Sequence, residues 1–430
     1  MSATYLDFLA RKRPGPLAHG FDPPAINERL YEFQRDVTVW ALRAGRAAIF
    51  ADCGLGKTPM QLEWAHRVVE HTGGDVLILA PLAVSGQTMR EAERFGIEAR
   101  VVREPEDLRP GISITNYERY ERFARHPWRG LVLDESSILK SFDGKTRAGL
   151  TEWGQTIPYR LCATATPSPN DYEELGGHSE FLGVLTRRQM LAEFFVNDGI
   201  SAGHWRLKGH GQDAYWRWIT TWARAFRDPS DLGYPSDGFA LPPLNVHVHE
   251  VDGDHVAEDR LFAVPASTLS ERRQARRESL SQRVRHALDL VGGDEPCVVW
   301  CDLNSESEAL ARTIPDAVEV RGSDPPDVKE DRLLAFTDGQ ARVLVTKPRI
   351  GGWGLNWQHC ARMVFVGLSD SYESYYQAVR RCWRFGQCRP VEVHIVASRL
   401  EQAVLENIRR KEAQAADLFE RVVRAMERAA

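Results

Sequence analysis

Lys57 and Thr58 end the run Ala51-Asp52-Cys53-Gly54-Leu55-Gly56-Lys57-Thr58, and their types and spacing suit the chemistry of a phosphate anion. Glycines let a loop turn consecutive backbone N–H groups toward such an anion, a lysine ammonium reaches its terminal oxygens, and a threonine hydroxyl can ligate Mg²⁺. The elements that must position this loop are legible on both sides. Ala47-Ala48-Ile49-Phe50 reads as a buried strand, and from Pro59 onward Leu62, Ala65 and Val69 share one face at helical spacing. Strand, loop and helix together point to a nucleoside triphosphate site cradled by Gly54, Gly56, Lys57 and Thr58. Gly-Lys-Thr by itself would be satisfied by a glycine turn before an ordinary helix, so the flanking elements carry the distinction.

Further residues suit the same chemistry. Asp134-Glu135 directly follows Gly130-Leu131-Val132-Leu133, and in parallel sheets ligands collect at the carboxyl ends of strands. Asp134 is placed to hold Mg²⁺, directly or through water, and Glu135 to polarise an attacking water. Thr164-Ala165-Thr166-Pro167 also follows a strand-like run, and its hydroxyls could link the site to whatever the protein binds. Gln34, in Phe33-Gln34, has an amide that both donates and accepts, as an adenine edge requires. Far along the chain, Arg381 and Arg384 stand three apart within Tyr375 to Gln387. That spacing predicts one helical face carrying two guanidiniums able to reach a γ-phosphate, although a solvated basic face explains it as simply.

Length and composition bound the rest. A chain of 430 residues has room for two or three domains, each with its own core. Its formal net charge of −5 neither excludes nor predicts a nucleic-acid partner, because local basic patches decide such binding. No apolar stretch is long enough to span a bilayer and the N-terminus lacks a signal-peptide pattern, so a cytoplasmic protein without a membrane partner is expected. Seven cysteines with no Cys-x-x-Cys pair argue against a disulfide framework and a zinc ribbon. His247-Val248-His249 and His255 could be proposed as metal ligands, but the alternation from Asn245 to His249 fits a half-exposed strand better.

Candidate strands Val76–Leu79, Ile112–Ile114, Leu131–Leu133 and Arg160–Ala163 alternate with helical stretches, the pattern of a parallel α/β sheet. A second such block runs through Cys297–Trp300, Val343–Val345, Val364–Val366 and Val391–Val396 and has no phosphate loop of its own. Between them lie a tryptophan-rich stretch over 170–240 and Leu241-Pro242-Pro243-Leu244, whose prolines discourage helix. Tyr215, Ile219, Trp222 and Phe226 fall at helical spacing, which favours the core of a helical insertion over base stacking. Arg272, Arg273, Arg276, Arg277, Arg283 and Arg285 read as a helix, either solvated or facing DNA.

Taken in order, Phe33-Gln34, the phosphate loop, Ala80-Pro81-Leu82, Thr115-Asn116-Tyr117, Asp134-Glu135-Ser136-Ser137, Thr164-Ala165-Thr166-Pro167, Gly351-Gly352-Trp353-Gly354-Leu355-Asn356 and Gln377 to Gln387 resemble the motif series of superfamily 2 helicases. Arg384-Phe385-Gly386-Gln387 is closest to the Swi/Snf-like branch, and the resemblance covers about 25–412. Ala51 stands where the general loop has glycine, as in many nucleic-acid-dependent ATPases. The phrases Trp357-Gln358-His359-Cys360-Ala361-Arg362 and Ser369-Asp370-Ser371-Tyr372 are similar to compact DEAD/DEAH-box-type helicases of bacteriophages and prophages, which implies a phage or bacterial source.

The resemblance implies two RecA-like parallel-sheet lobes with a mainly helical insertion. The implied boundaries are an extension at 1–24, lobe one at 25–169, insertion and linker at 170–286, lobe two at 287–412 and a C-terminal helix at 413–430. ATP and Mg²⁺ are the implied cofactors. Gln34 would recognise adenine, Lys57 and Thr58 phosphate and Mg²⁺, Asp134 and Glu135 would support hydrolysis, and Arg381 and Arg384 would complete the site from lobe two. Gly354 would lie near the nucleotide, Gln377 near the attacking water, and Thr115, Asn116 and Thr346 along the nucleic-acid track. The expected activity is ATP-driven movement on DNA, duplex favoured over single strands, by a monomer serving phage or host replication or recombination proteins. A strand-separating DNA or RNA helicase and an ATP-switched binding module with little turnover are the rival readings. Departures from the family are visible. Ser136-Ser137 replaces Ala-His or Gly-His, Arg380 replaces a small or acidic residue, and the long Swi/Snf insertions that chromatin work requires are absent.

Overall fold

A computed structural model of the chain describes residues 19–81, 85–140, 144–168, 170–197, 205–251, 277–351, 355–398 and 401–428. The chain divides into two compact units, residues 1–238 with 414–430, and residues 239–413.

The first unit is built on a seven-stranded sheet in the order β3-β4-β2-β5-β6-β1-β9. Its strands are β1 (Arg46–Ala51), β2 (Val76–Ala80), β3 (Ala99–Val101), β4 (Ile112–Asn116), β5 (Gly130–Asp134), β6 (Tyr159–Thr164) and β9 (Ala223–Phe226). Each neighbouring pair is parallel. β2, β4 and β5 are buried along their whole length, as strands covered on both faces must be, and this is why Val76–Ala80 and Leu131–Leu133 appear in the sequence as unbroken apolar runs, while β4 buries Ser113, Thr115 and Asn116 among its apolar residues. A short antiparallel pair, β7 (Phe195–Asn197) and β8 (Trp205–Leu207), stands apart.

Topology decides where the loops go. β6 lies between β5 and β1, with Asp134 opposite Ala163 and Phe50 opposite Thr164. Since all three strands run the same way, the segments after Ala51, Asp134 and Thr164 leave the sheet at one edge. At an interstrand spacing near 4.8 Å, β1 and β5 are roughly 10 Å apart there.

The tryptophan-rich stretch is core, as the sequence suggests, but it is not a helix throughout. The helix Gln212–Thr220 carries Tyr215, Trp216, Trp218 and Ile219 into the core, while Trp222 precedes β9 and Phe226 lies within it. β9 pairs with β1: Ala48 N donates to Trp222 O at 2.8 Å and Asp52 N to Phe226 O at 3.1 Å. The stretch thus braces the strand that leads into the phosphate loop, a long-range pairing that helical spacing did not show.

The second unit holds a six-stranded parallel sheet, order β10-β15-β14-β11-β13-β12, from β10 (Leu244–Val251), β11 (Cys297–Trp300), β12 (Ala317–Glu319), β13 (Val343–Thr346), β14 (Arg362–Phe365) and β15 (Val391–Ser398). Two parallel-sheet α/β units are therefore present, as expected. Of the arginine block, Arg283 is neither solvated nor free to face DNA: it is fully buried, 2.7 Å from Glu306 Oε1, and it donates to Val366 O. Arg285 is exposed, and Arg272, Arg273 and Arg276 lie outside the described residues. The last helix runs Gln402–Glu427, and its residues Leu418, Phe419, Val422 and Ala425 join the core of the first unit beside Tyr215 and Trp216. Among the described residues, no helix is long and apolar enough to cross a membrane.

Trp222 is fully buried and its Nε1 has no hydrogen-bond partner. Trp222→Ala is expected to cost about 3–5 kcal/mol, through the lost contacts and the cavity left under β1. Trp222→Phe, which keeps a ring and deletes the unpartnered N–H, should cost no more than about 2 kcal/mol. Urea unfolding followed by circular dichroism checks both.

Candidate active site

The phosphate loop starts where β1 ends. Gly54 and Gly56 have φ of 92° and 79°, the left-handed region that residues with a Cβ avoid. Gly56 has a second reason to lack a side chain: a Cβ there would stand 2.2 Å from Gln34 Nε2. Gly56 is also the N-cap of the helix Lys57–Thr72, which places Lys57 and Thr58 in its first turn. Lys57 Nζ donates to Ala51 O at 2.9 Å and to Asp52 O at 3.4 Å, so the ammonium is held against its own loop. Gln34 is buried; its Oε1 accepts from Tyr31 N at 3.1 Å and its Nε2 donates to Leu55 O at 3.0 Å. The amide retains one further N–H and one further lone pair, the complement of an adenine edge.

Asp134 closes β5 and is 6 % exposed. Its Oδ1 accepts from Gln61 Nε2 at 2.7 Å, and its main-chain O accepts from Tyr117 Oη at 2.6 Å. Burial, and then the neighbouring Glu135, push the Asp134 carboxyl up to about 6, while Gln61 and Lys57 pull it the other way. A buried carboxylate crowded by a second one is relieved by a divalent cation, so this donor set fits Mg²⁺. Asp134 and Thr58 are the residues that would hold it. Glu135 follows with φ of 52°, and its Oε2 accepts from Thr164 Oγ1 at 3.2 Å. Thr166 N in turn donates to Thr164 Oγ1 at 3.1 Å, which ties the end of β6 to the carboxylate pair.

In the second unit, Arg381 and Arg384 converge, though not on a helical face. The helix Tyr372–Val379 ends before them, and both lie in the turns that follow. Arg381 is 4 % exposed; its Nη1 donates to Leu355 O at 2.9 Å and its Nη2 to Gln377 Oε1 at 3.0 Å. Arg384 Nη1 donates to the same Leu355 O at 3.3 Å. One main-chain carbonyl therefore gathers both guanidiniums, and a solvated basic face is excluded. Gln377 is buried with its Nε2 unpartnered, a donor still to be used. Arg380, the departure from the family pattern, sits 4.4 Å from the centre of the Trp383 ring as a cation–π contact. Gly354 lies outside the described residues.

Thr115, Asn116 and Thr346 are all buried. Thr115 Oγ1 donates to Val102 O at 2.9 Å and Thr346 Oγ1 to Val320 O at 3.1 Å, so these hydroxyls serve their own sheets. Asn116 Oδ1 is buried without a partner. Reading by motif missed Gln61, although its spacing of one helical turn from Lys57 signals a shared face. It also missed His178, whose Nε2 lies 3.1 Å from Ser136 Oγ and which nothing in the local sequence connects to Asp134-Glu135.

Residues 281–386 match the family model described as the helicase conserved C-terminal domain. A segment of 193 residues, 39 % of this chain, is 28 % identical to the chromodomain-helicase-DNA-binding protein 1-like of Danio rerio, and the match spans 18 % of that protein's length. Among solved structures, the chain is similar to the Sulfolobus solfataricus SWI2/SNF2 ATPase core in complex with dsDNA, at 16 % identity and a TM-score of 0.44, over 88 % of this chain and 90 % of that one.

The raised Asp134 carboxyl makes a stability prediction for the nucleotide-free protein. The folded state holds this proton more tightly than the unfolded chain, whose value is near 3.8, so stability falls as pH rises through the window from about 4 to about 6. Asp134→Asn keeps an acceptor for Gln61 and carries no charge. It is expected to raise the unfolding free energy at pH 7.5 by roughly 2 kcal/mol, with the gain vanishing near pH 4. Thermal melts at the two pH values check the sign.

Proposed function

We propose that this chain is a nucleic-acid-dependent ATPase of superfamily 2 that converts hydrolysis into movement along duplex DNA. The carrying observation is the edge shared by β1, β6 and β5, where the Lys57 loop, Thr164 and the Asp134-Glu135 pair come together on parallel strands. Support for the second half of the reading comes from the helicase C-terminal domain match over 281–386 and from the gathering of Arg381 and Arg384 by Leu355 O within it.

When bound, magnesium-ATP supplies the phosphoanhydride whose terminal phosphoryl passes to water. Gln34 selects adenine with its remaining donor and acceptor. Lys57, leaving the carbonyls of Ala51 and Asp52, places its charge on phosphate, and the Lys57–Thr72 helix adds its positive end. Glu135 orients the water and takes its proton, with Thr164 fixing the carboxylate that does so. Arg381 and Arg384 neutralise the charge that develops on the transferred group, and the Gln377 amide supplies a further donor. Positioned charge and one proton transfer to Glu135 are the catalysis in this scheme. Two states of the chain that differ in affinity for nucleotide and for the DNA backbone are what convert turnover into motion. The phage-like phrases of the sequence favour a bacterial host cytoplasm and replication or recombination proteins as the setting.

ATP hydrolysis titrated with duplex, single-stranded and forked DNA and with RNA, at one salt concentration, is expected to show the largest stimulation with duplex DNA. Stimulation by RNA alone overturns the substrate assignment, and negligible turnover with every nucleic acid leaves an ATP-switched binder instead. Lys57→Ala and Glu135→Gln are each expected to lower DNA-stimulated phosphate release by on the order of 10²- to 10³-fold. Unchanged release in either variant removes the motor reading. Displacement of a triplex-forming strand without separation of a duplex is the expected signature of movement, and duplex separation points to a strand-separating helicase.

A further inference from the structure

We propose that His178 is a positioning residue for Glu135, acting through Ser136. The inference rests on the ATPase reading and deepens it, since it names a residue that no part of the motif series contains.

Glu135 has a left-handed backbone, φ 52°, which is strained for a residue with a side chain and relaxes unless its neighbours hold it. The residue before it is held twice, by Tyr117 Oη on Asp134 O and by Gln61 on Asp134 Oδ1. The carboxylate itself is held by Thr164 Oγ1. On the other side, the partner is His178, whose Nε2 lies 3.1 Å from Ser136 Oγ. Ser136 and His178 are both fully buried. His178 also sets its ring edge-on to Phe50, the residue opposite Thr164 in the β1–β6 pairing, with centroids 5.3 Å apart.

The approach that makes this contact is built in. His178 belongs to the helix Leu175–Leu182, and its neighbour Gly177 lies against the short 3₁₀ turn Ser136–Lys140 that follows Glu135. A Cβ at 177 would stand 2.2 Å from Leu139 O, so only glycine allows the helix this close. The proton assignment follows from burial. His178 Nδ1 has no partner, and an unpaired buried N–H costs more than a bare lone pair. The proton therefore sits on Nε2 and is donated to Ser136 Oγ. The Ser136 hydroxyl hydrogen then points away from His178, and Ser136 pulls the Cys162 thiol on β6 down against the larger rise that burial causes. Ser136 is thus bound to the Leu175–Leu182 helix. Burial drives the His178 imidazole down to about 3, against a smaller opposing contact with Ser136 main chain, so this donor stays neutral and fixed at every working pH. A buried neutral histidine has no access to a substrate proton, which separates this role from acid–base catalysis.

The test uses the full chain with His178→Phe, which keeps the ring and removes both nitrogens, His178→Gln, which restores an N–H donor, and Ser136→Ala. In nucleotide-free protein, amide hydrogen exchange over 134–139 should quicken by roughly tenfold or more in His178→Phe and Ser136→Ala, with β2 and β4 unchanged. At saturating duplex DNA, kcat for ATP hydrolysis should fall at least about tenfold while KM for ATP stays within about twofold, and His178→Gln should recover most of the loss. The double variant His178→Phe/Ser136→Ala should be no slower than Ser136→Ala alone, because one contact is removed twice. Wild-type exchange and kcat in His178→Phe overturn the proposal. So does a loss of kcat that tracks a general fall in stability and that His178→Gln does not repair. If the wild-type protein hydrolyses no ATP, the activity reading fails while the exchange comparison still decides whether His178 holds Glu135.

Discussion

Parallel neighbours must send their following segments out at the same edge of a sheet, and β5, β6 and β1 are three such neighbours in the first unit. Everything proposed for the nucleotide depends on that constraint. The phosphate loop can face the carboxylates only because β6 separates β1 from β5 by one strand and none of the three is reversed. Supports then accumulate around the edge. β9 pairs with β1 from outside, Gln34 ties the loop to the helix Glu32–Ala44 on which it stands, and Gln61 ties Asp134 to the helix that Lys57 begins.

Charge is buried in both units at a cost that packing alone would not justify. Burial and the neighbouring Glu135 make the ionised form of Asp134 costly to hold, and a site meant only for stability would carry an amide or an apolar group there. In the second unit the buried Arg283–Glu306 pair is anchored to the main chain after β14, and Arg381 is buried against a carbonyl and an amide. These two arginines differ in kind. Arg283 finds a full anionic partner and serves structure. Arg381 and Arg384 both donate to one main-chain oxygen, that of Leu355.

Much of this was readable in the chain. Buried parallel strands have no exposed face, so Val76–Leu79, Leu131–Leu133 and Cys297–Trp300 stand out as unbroken apolar runs, and Gly54-Leu55-Gly56-Lys57-Thr58 announces its own turn and helix start. Asp134-Glu135 could be placed because a strand end in a parallel sheet is a ligand edge. Other features depend on partners distant in sequence. Trp222 and Phe226 continue a helical spacing, but Phe226 lies in β9 and Trp222 directly before it, because an edge of β1 needs pairing. Arg381 and Arg384 have helical spacing yet lie past the helix end, and a carbonyl from Leu355 brings them together. The hydroxyls of Thr115 and Thr346 are directed by main-chain acceptors just past the neighbouring strands β3 and β12, which no local pattern reveals.

Local chemistry, then, was determined by sequence: glycines where φ is positive, a lysine and threonine at a helix start, two acids at a strand end. Such features need only a few consecutive residues to exist. The tertiary structure decided which of these groups touch, and with what support. Glu135 keeps its left-handed backbone because Tyr117, Gln61, Thr164 and His178 converge on it and its neighbours from separate elements. That convergence depends on strand order and on a glycine-permitted helix approach, and neither is written in the residues next to Glu135.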